Sequence, residues 1–199
     1  SIKPLNFSGN IKYNPYLDFD VRNTDSNYGD KFWEEDSRKV GVKKGFVCAK
    51  TKKTNFLVAV AMNYSFSVDG EKQNIHPHEV TRELYVENNF EFYAEHGKTY
   101  TINKYVSLLS SINYSDFSLT VASVNRAKEA KEKGFDSLLE IHVEAWAKIW
   151  ANADIQIKGD PAAQQAIRFN IFHLYQTYTG KNVKLNIGPK GFTGEKYGG

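Results

Sequence analysis

A chain of 199 residues with 41% hydrophobic content can bury a real core, as one large or two small domains. Its net charge is only +3, and its Lys and Arg are interspersed with acids rather than gathered in a stripe, which argues against a nucleic-acid partner. Cys48 is the sole cysteine, so there is no disulfide framework or thiolate metal cluster, and no apolar run approaches the roughly 20 residues of a membrane span.

Residues 1 to about 112 read as strands. Ile11-Lys12-Tyr13 and Tyr16 to Val21 alternate apolar and polar residues, and Asn23 to Asp30 is a turn-rich loop. Val40-Gly41-Val42 through Cys48 comes next, and Phe56 to Met62, the most apolar run, should be a central strand. Asp69-Gly70 marks a turn, and strands are expected over Glu79 to Val86, Phe90 to Ala94 and Tyr100 to Leu109. Regular strand spacing with turn signals predicts an antiparallel sandwich. The aromatic content of 14% fits sandwich packing first and, more loosely, sugar stacking.

The pattern changes near Ser115. A helix over 116–133 carries Phe117, Val121 and Val124 at helical spacing, ends in the charged run Lys128 to Lys133, and is closed by Gly134. That run reads as a solvated face. A second helix, Asp136 to Ala151, has a stripe of Leu139, His142, Val143, Trp146, Ile149 and Trp150. Asp154 to Ile157 is an extended link. The third helix is capped by Asp160 with Pro161 in its first turn. Its buried face is expected at Ala163, Ile167, Ile171, Leu174 and Tyr178, with Phe169 and Phe172 apolar on another side, as in a helix packed between neighbours.

Chemistry-bearing motifs are few. Cys48 lies in an apolar run and reads as a buried, inert thiol. His76 and His78 have ligand spacing, but Pro77 argues for a loop and no third ligand is near. His142 and His173 read as core histidines. Gly188 to Gly194 contains G-x-x-G-x-x-G, but it does not lie between a strand and a helix, so the phosphate-cradle context fails. Asn63-Tyr64-Ser65 and Asn113-Tyr114-Ser115 are formal glycosylation acceptors, expected by chance in a chain rich in Asn and Ser.

Ala166-Ile167-Arg168-Phe169-Asn170-Ile171-Phe172-His173-Leu174-Tyr175-Gln176-Thr177-Tyr178, followed by Leu185-Asn186-Ile187-Gly188-Pro189-Lys190-Gly191-Phe192-Thr193-Gly194-Glu195-Lys196-Tyr197-Gly198-Gly199, resembles glycoside hydrolase family 65, nearest its bacterial disaccharide phosphorylase branch. The upstream order of sandwich, linker helices and the Trp146 and Trp150 helix is similar more weakly. The resemblance implies an antiparallel β-sandwich, here its C-terminal part, over 1–112. It implies a helical linker over 113–158 and the beginning of an (α/α)6 catalytic barrel over 159–199. It implies inverting phosphorolysis of an α-glucoside, maltose first, to β-glucose 1-phosphate and glucose.

In such a scheme a glutamic acid protonates the leaving oxygen while inorganic phosphate, as co-substrate, attacks from the opposite face. No metal or organic cofactor is implied. The catalytic acid is expected downstream of Gly199, so no catalytic residue is assigned and the chain alone is expected to be inactive. Phe192, Glu195, Lys196 and Tyr197 are the candidates for a loop beside the sugar site. A cytoplasmic homodimer is expected. The alternatives are an α,α-trehalose hydrolase or phosphorylase of the same family, and a sandwich acting as a carbohydrate-binding or dimerisation module. An exposed aromatic row on one sandwich face would favour sugar binding, and a flat apolar patch would favour assembly.

Overall fold

The computed structural model describes residues 1–22, 31–178 and 180. The chain divides into two compact units, Ser1–Leu138 and Leu139–Gly199.

The first unit holds two antiparallel sheets. In one, β8 (Tyr85–Ala94) lies between β7 (His78–Arg82) on one side and β1 (Gly9–Tyr13) with β2 (Tyr16–Asp18) on the other. Tyr13 opposes Phe90 and Tyr16 opposes Glu87 in one unbroken register, so β1 and β2 are a single edge strand interrupted at Asn14-Pro15. The Pro15 carbonyl accepts from Asn88 N at 3.0 Å, but its ring nitrogen has no proton to return.

The other sheet runs β3 (Trp33–Gly41), β4 (Lys44–Thr51), β5 (Leu57–Val68) and β6 (Glu71–Lys72), with β9 (Tyr100–Ser110) paired along β5. The apolar run expected to be central is indeed β5, which has β4 and β9 as neighbours. Between the sheets, Leu17, Val47, Val60, Met62, Leu84 and Val86 form one core cluster, and Phe66, Ala94 and Tyr100 form a second with Phe90 and Phe92 beside it. This is the sandwich that the strand pattern predicts.

Two local readings are corrected and one segment is added. Val40 and Phe46 do not share a strand, because the chain reverses at Val42-Lys43. The break placed after Val86 falls instead at Glu83-Leu84, and Tyr85 to Ala94 is continuous. The charged segment Trp33 to Lys39, to which the sequence pattern assigns no element, is strand. Asp36 is an extra residue there, so Trp33 and Glu35 before it share a face with Arg38 and Val40 after it, and simple alternation fails.

Helix α1 (Asp116–Lys133) packs on the outer face of the five-stranded sheet, where Leu119 joins Cys48 and Ala59. Its buried residues are Leu119, Ser123 and Ala127, and the Ser123 hydroxyl lies 3.2 Å from the Ala59 carbonyl and 3.3 Å from Ser107 Oγ. Of the apolar residues read at helical spacing, Phe117 is 101% and Val121 62% exposed and Val124 is half-buried, so they do not mark the packing face. Small residues let the helix sit close to the sheet, so volume rather than hydropathy chose the face. Helix α2 (Phe135–Ala153) begins next, after the left-handed Gly134, and α3 (Pro161–Thr177) follows an extended link.

Candidate functional site

In the second unit the Asp160 carboxylate accepts from Ala163 N at 3.0 Å, capping α3 as its sequence predicts. Gln164 fastens the preceding link, accepting from Ile157 N at 2.7 Å and donating to the Ile155 carbonyl at 2.8 Å. Arg168 forks onto Asp154 with two bonds of 2.8 and 2.7 Å. The hydrogen bond from Arg168 holds the Asp154 carboxyl below the usual carboxylate range and raises the guanidinium in return. Trp146 stacks with Trp150 at 5.9 Å and meets Phe172 at 4.8 Å, joining α2 to α3.

A groove of about 520 Å³ runs along α3, lined by Pro161, Gln164, Gln165, Arg168, Phe169 and Phe172. Ile171 is buried, but Leu174, expected beside it, is 68% exposed, and none of the α2 stripe is buried. His142 and His173 are exposed in this chain, against the expectation of core histidines; they contact Trp146 and Phe169 edgewise or tilted. Phe192, Glu195, Lys196 and Tyr197, with the glycine-rich motif Gly188 to Gly194, lie outside the described residues.

In the first unit a cleft of about 590 Å³ opens at one end of the sandwich, lined in part by Asp69, Gln73, Asn74, Tyr93, Glu95 and Lys98. Its polar groups are largely committed: Asp69 accepts from Thr99 N at 2.7 Å, Lys98 bonds Glu95 at 2.8 Å, and Lys43 bonds Asn74 at 3.2 Å. The outward face of β8 presents Tyr85, Glu87, Asn89, Glu91 and Tyr93 in turn, so three polar residues separate its aromatic ends. It has no continuous aromatic row.

That face carries a polar network that the linear sequence gives little sign of. Glu87 accepts from the Tyr85 hydroxyl, from Asn14 at 2.8 Å and from Asn89 at 3.2 Å. Tyr85 stacks on Tyr16 at 5.7 Å, with the Arg82 guanidinium 3.7 Å above its ring. Burial, then the bond to Glu87, pushes the Tyr85 phenol up to about 12, while the same bond holds the Glu87 carboxyl down. Alternation along β8 was the one available signal, and the polar run Glu87-Asn88-Asn89 interrupted it.

Cys48 is 1% exposed, and burial pushes its thiol up, as expected of an inert core cysteine. His76 lies in the loop before β7 and His78 begins that strand, and no group of three possible metal ligands occurs among the described residues. Asn63 is half-buried and accepts from Lys131, whereas Asn113 is exposed in the turn before α1. No helix among the described residues is long and apolar enough to cross a membrane.

Residues 1–149 match the N-terminal domain of glycosyl hydrolase family 65, and residues 168–199 match the family's central catalytic domain. The chain belongs to this family. A maltose phosphorylase of Bacillus subtilis (strain 168) is 37% identical over 185 residues, covering 93% of this chain and 24% of that protein. An alpha,alpha-trehalose phosphorylase of Thermoanaerobacter brockii is 32% identical over 210 residues, covering 100% of this chain and 26% of that protein. The chain thus spans about a quarter of the length of these relatives. A solved structure described as "Putative kojibiose phosphorylase from human microbiome" superposes with a TM-score of 0.77 at 22% identity, over 92% of this chain and 23% of that one, and shares its fold.

Proposed function

We propose that this chain is the sandwich, linker and first barrel helix of an inverting disaccharide phosphorylase, with maltose the foremost substrate. The observation that carries the reading is the joint match to both family domains together with likeness to a maltose phosphorylase along nearly the whole chain. In the proposed reaction a glutamic acid downstream of Gly199 gives its proton to the glycosidic oxygen. Inorganic phosphate forms the new bond at the anomeric carbon as the old one breaks, yielding β-glucose 1-phosphate and glucose. Phosphate stands where an inverting hydrolase places water. No cofactor takes part.

Phe192, Glu195, Lys196 and Tyr197 are proposed to support the rim of the sugar site. The proposed division is 1–112 sandwich, 113–158 linker and 159–199 barrel start, within a cytoplasmic homodimer. The committed Arg168–Asp154 pair and the Trp146–Phe172 contact fix α3, from which that loop follows. A second reading, trehalose as substrate, is favoured by the trehalose phosphorylase likeness over the whole chain.

The test incubates the intact parent protein with maltose, trehalose, kojibiose and nigerose, with and without phosphate. β-Glucose 1-phosphate formed from one of them only when phosphate is present is the expected result. Glucose release indifferent to phosphate would replace the phosphorylase by a hydrolase. The 199-residue chain by itself is expected to release no product in the same assay.

A further inference from the structure

Four lysines converge at one end of the sandwich. Lys43 and Lys44 sit at the β3–β4 reversal, Lys72 on β6 and Lys131 in the last turn of α1. Lys43 is held in a left-handed conformation (φ 58°), and its carbonyl accepts from Tyr64 N at 3.0 Å, which pins the hairpin tip beside β5. Its amine lies 3.2 Å from Asn74 Oδ1, two residues beyond Lys72. The Lys131 amine lies 2.9 Å from Asn63 Oδ1, and Asn63 is the cross-strand partner of Lys44. The β3–β4 hairpin, β6 and the end of α1 thus carry their lysines to the same end of the sheet, and neutral amides, not acids, receive two of the amines.

Among the described residues no carboxylate lies within 4 Å of any of the four amines, although Lys12, Lys31, Lys50, Lys98 and Lys128 each have one. The α1 tail is therefore not the uniformly solvated face its sequence suggested. Burial, and then the charges of Lys43, Lys72 and Lys44, depress the Lys131 amine. Uncompensated like charges gathered in one region disfavour the fold, and a counter-charge among them relieves the repulsion.

We propose that this cluster is a binding site for a phosphoryl group, free or carried on a sugar. A phosphoryl dianion supplies nearly two negative charges and three acceptor oxygens, which several ammonium groups on different elements can share. A single carboxylate offers half the charge and fewer acceptors. The assignment stands whether or not the parent enzyme uses phosphate as co-substrate.

The experiment is amine footprinting of the unmodified chain by acetylation and mass spectrometry. It is run in inorganic phosphate, in glucose 1-phosphate and in sodium chloride at matched ionic strength. The expected result is severalfold slower labelling of Lys43, Lys44, Lys72 and Lys131 in a phosphoryl ligand, with Lys12 and Lys128 unchanged. Protection by both ligands assigns the bare phosphoryl group, and protection by the sugar phosphate alone assigns the sugar ester. Equal labelling in phosphate and chloride, or protection spread over all lysines, overturns the site. In the Lys43→Gln/Lys131→Gln variant, which removes two of the four charges at half-buried positions, protection of Lys44 and Lys72 should vanish. Its persistence would equally overturn the proposal.

Discussion

The Tyr64 hydroxyl donates to Asn88 Oδ1 at 3.0 Å across the middle of the sandwich, and both side chains are fully buried. Each sheet thereby satisfies the other's only polar intrusion at that point. Removing the hydroxyl with Tyr64→Phe leaves the Asn88 oxygen without its partner, at a cost of about 1–3 kcal/mol. Urea unfolding should show a lower midpoint with an unchanged slope. Tyr64→Phe/Asn88→Leu should lose less than the sum of the two single changes; strict additivity would mean that the bond couples nothing.

Tyr85 makes stability fall in alkali. Its folded value of about 12 lies above the ordinary phenol value of 10.0, so its contribution is fully present below pH 10 and is lost as pH rises toward 12. Glu87 works in the opposite sense: its depressed carboxyl contributes above the ordinary carboxylate range, and that contribution disappears in acid. Unfolding free energy followed from neutral pH to alkali should drop through this window. The drop should shrink in Tyr85→Phe, and an unchanged profile would remove Tyr85 as its cause.

Two substitutions on α1 separate the packing face from the apolar face. Leu119→Ala, at a fully buried position, should cost about 2–5 kcal/mol. Phe117→Ser, at a fully exposed one, should stay within about 0.5 kcal/mol. Thermal unfolding of the two variants decides between the faces, and the reverse order would restore the stripe read from hydropathy.

The misreadings share a physical origin. The β5 strand and the Asp160 cap were legible because a strong local signal and the tertiary outcome agree there. Trp33 to Lys39 was illegible because it is mostly charged, with Glu34 paired to Lys50 across the strands, and the Asp36 bulge resets the alternation. The α1 face was hidden because serine and alanine pack well against a flat sheet without looking hydrophobic. Of the candidate site, α3 and its cap were readable, while Phe192 to Tyr197 rest on family resemblance and lie outside the described residues.

Glu35 anchors a strained residue in the opposite sheet. Its carboxylate accepts from Leu84 N and pairs with Arg38, which in turn reaches Thr81 at 2.9 Å. Leu84 sits at φ 59°, a conformation disfavoured for leucine by about 1–2 kcal/mol, with its side chain 3% exposed in the core. Glu35→Ala should therefore destabilise by about 1.5–3 kcal/mol, the range for a bond to a charged group. Hydrogen exchange at the Leu84 amide should accelerate in that variant more than exchange at Val60 in the opposite strand.

Lys104 lies on β9, whose last outward bridge among the described residues is the one between Tyr100 and Ile2. Its amine crosses to the Tyr16 carbonyl at 2.6 Å, on the edge strand of the other sheet, and burial lowers its basicity there. One lysine at the exposed rim thus bridges both sheets at once. A foreign strand adding to either rim would have to expel a cation or strand it in a dry interface, so the same residue that joins the sheets also discourages aggregation of the chain through its open edges.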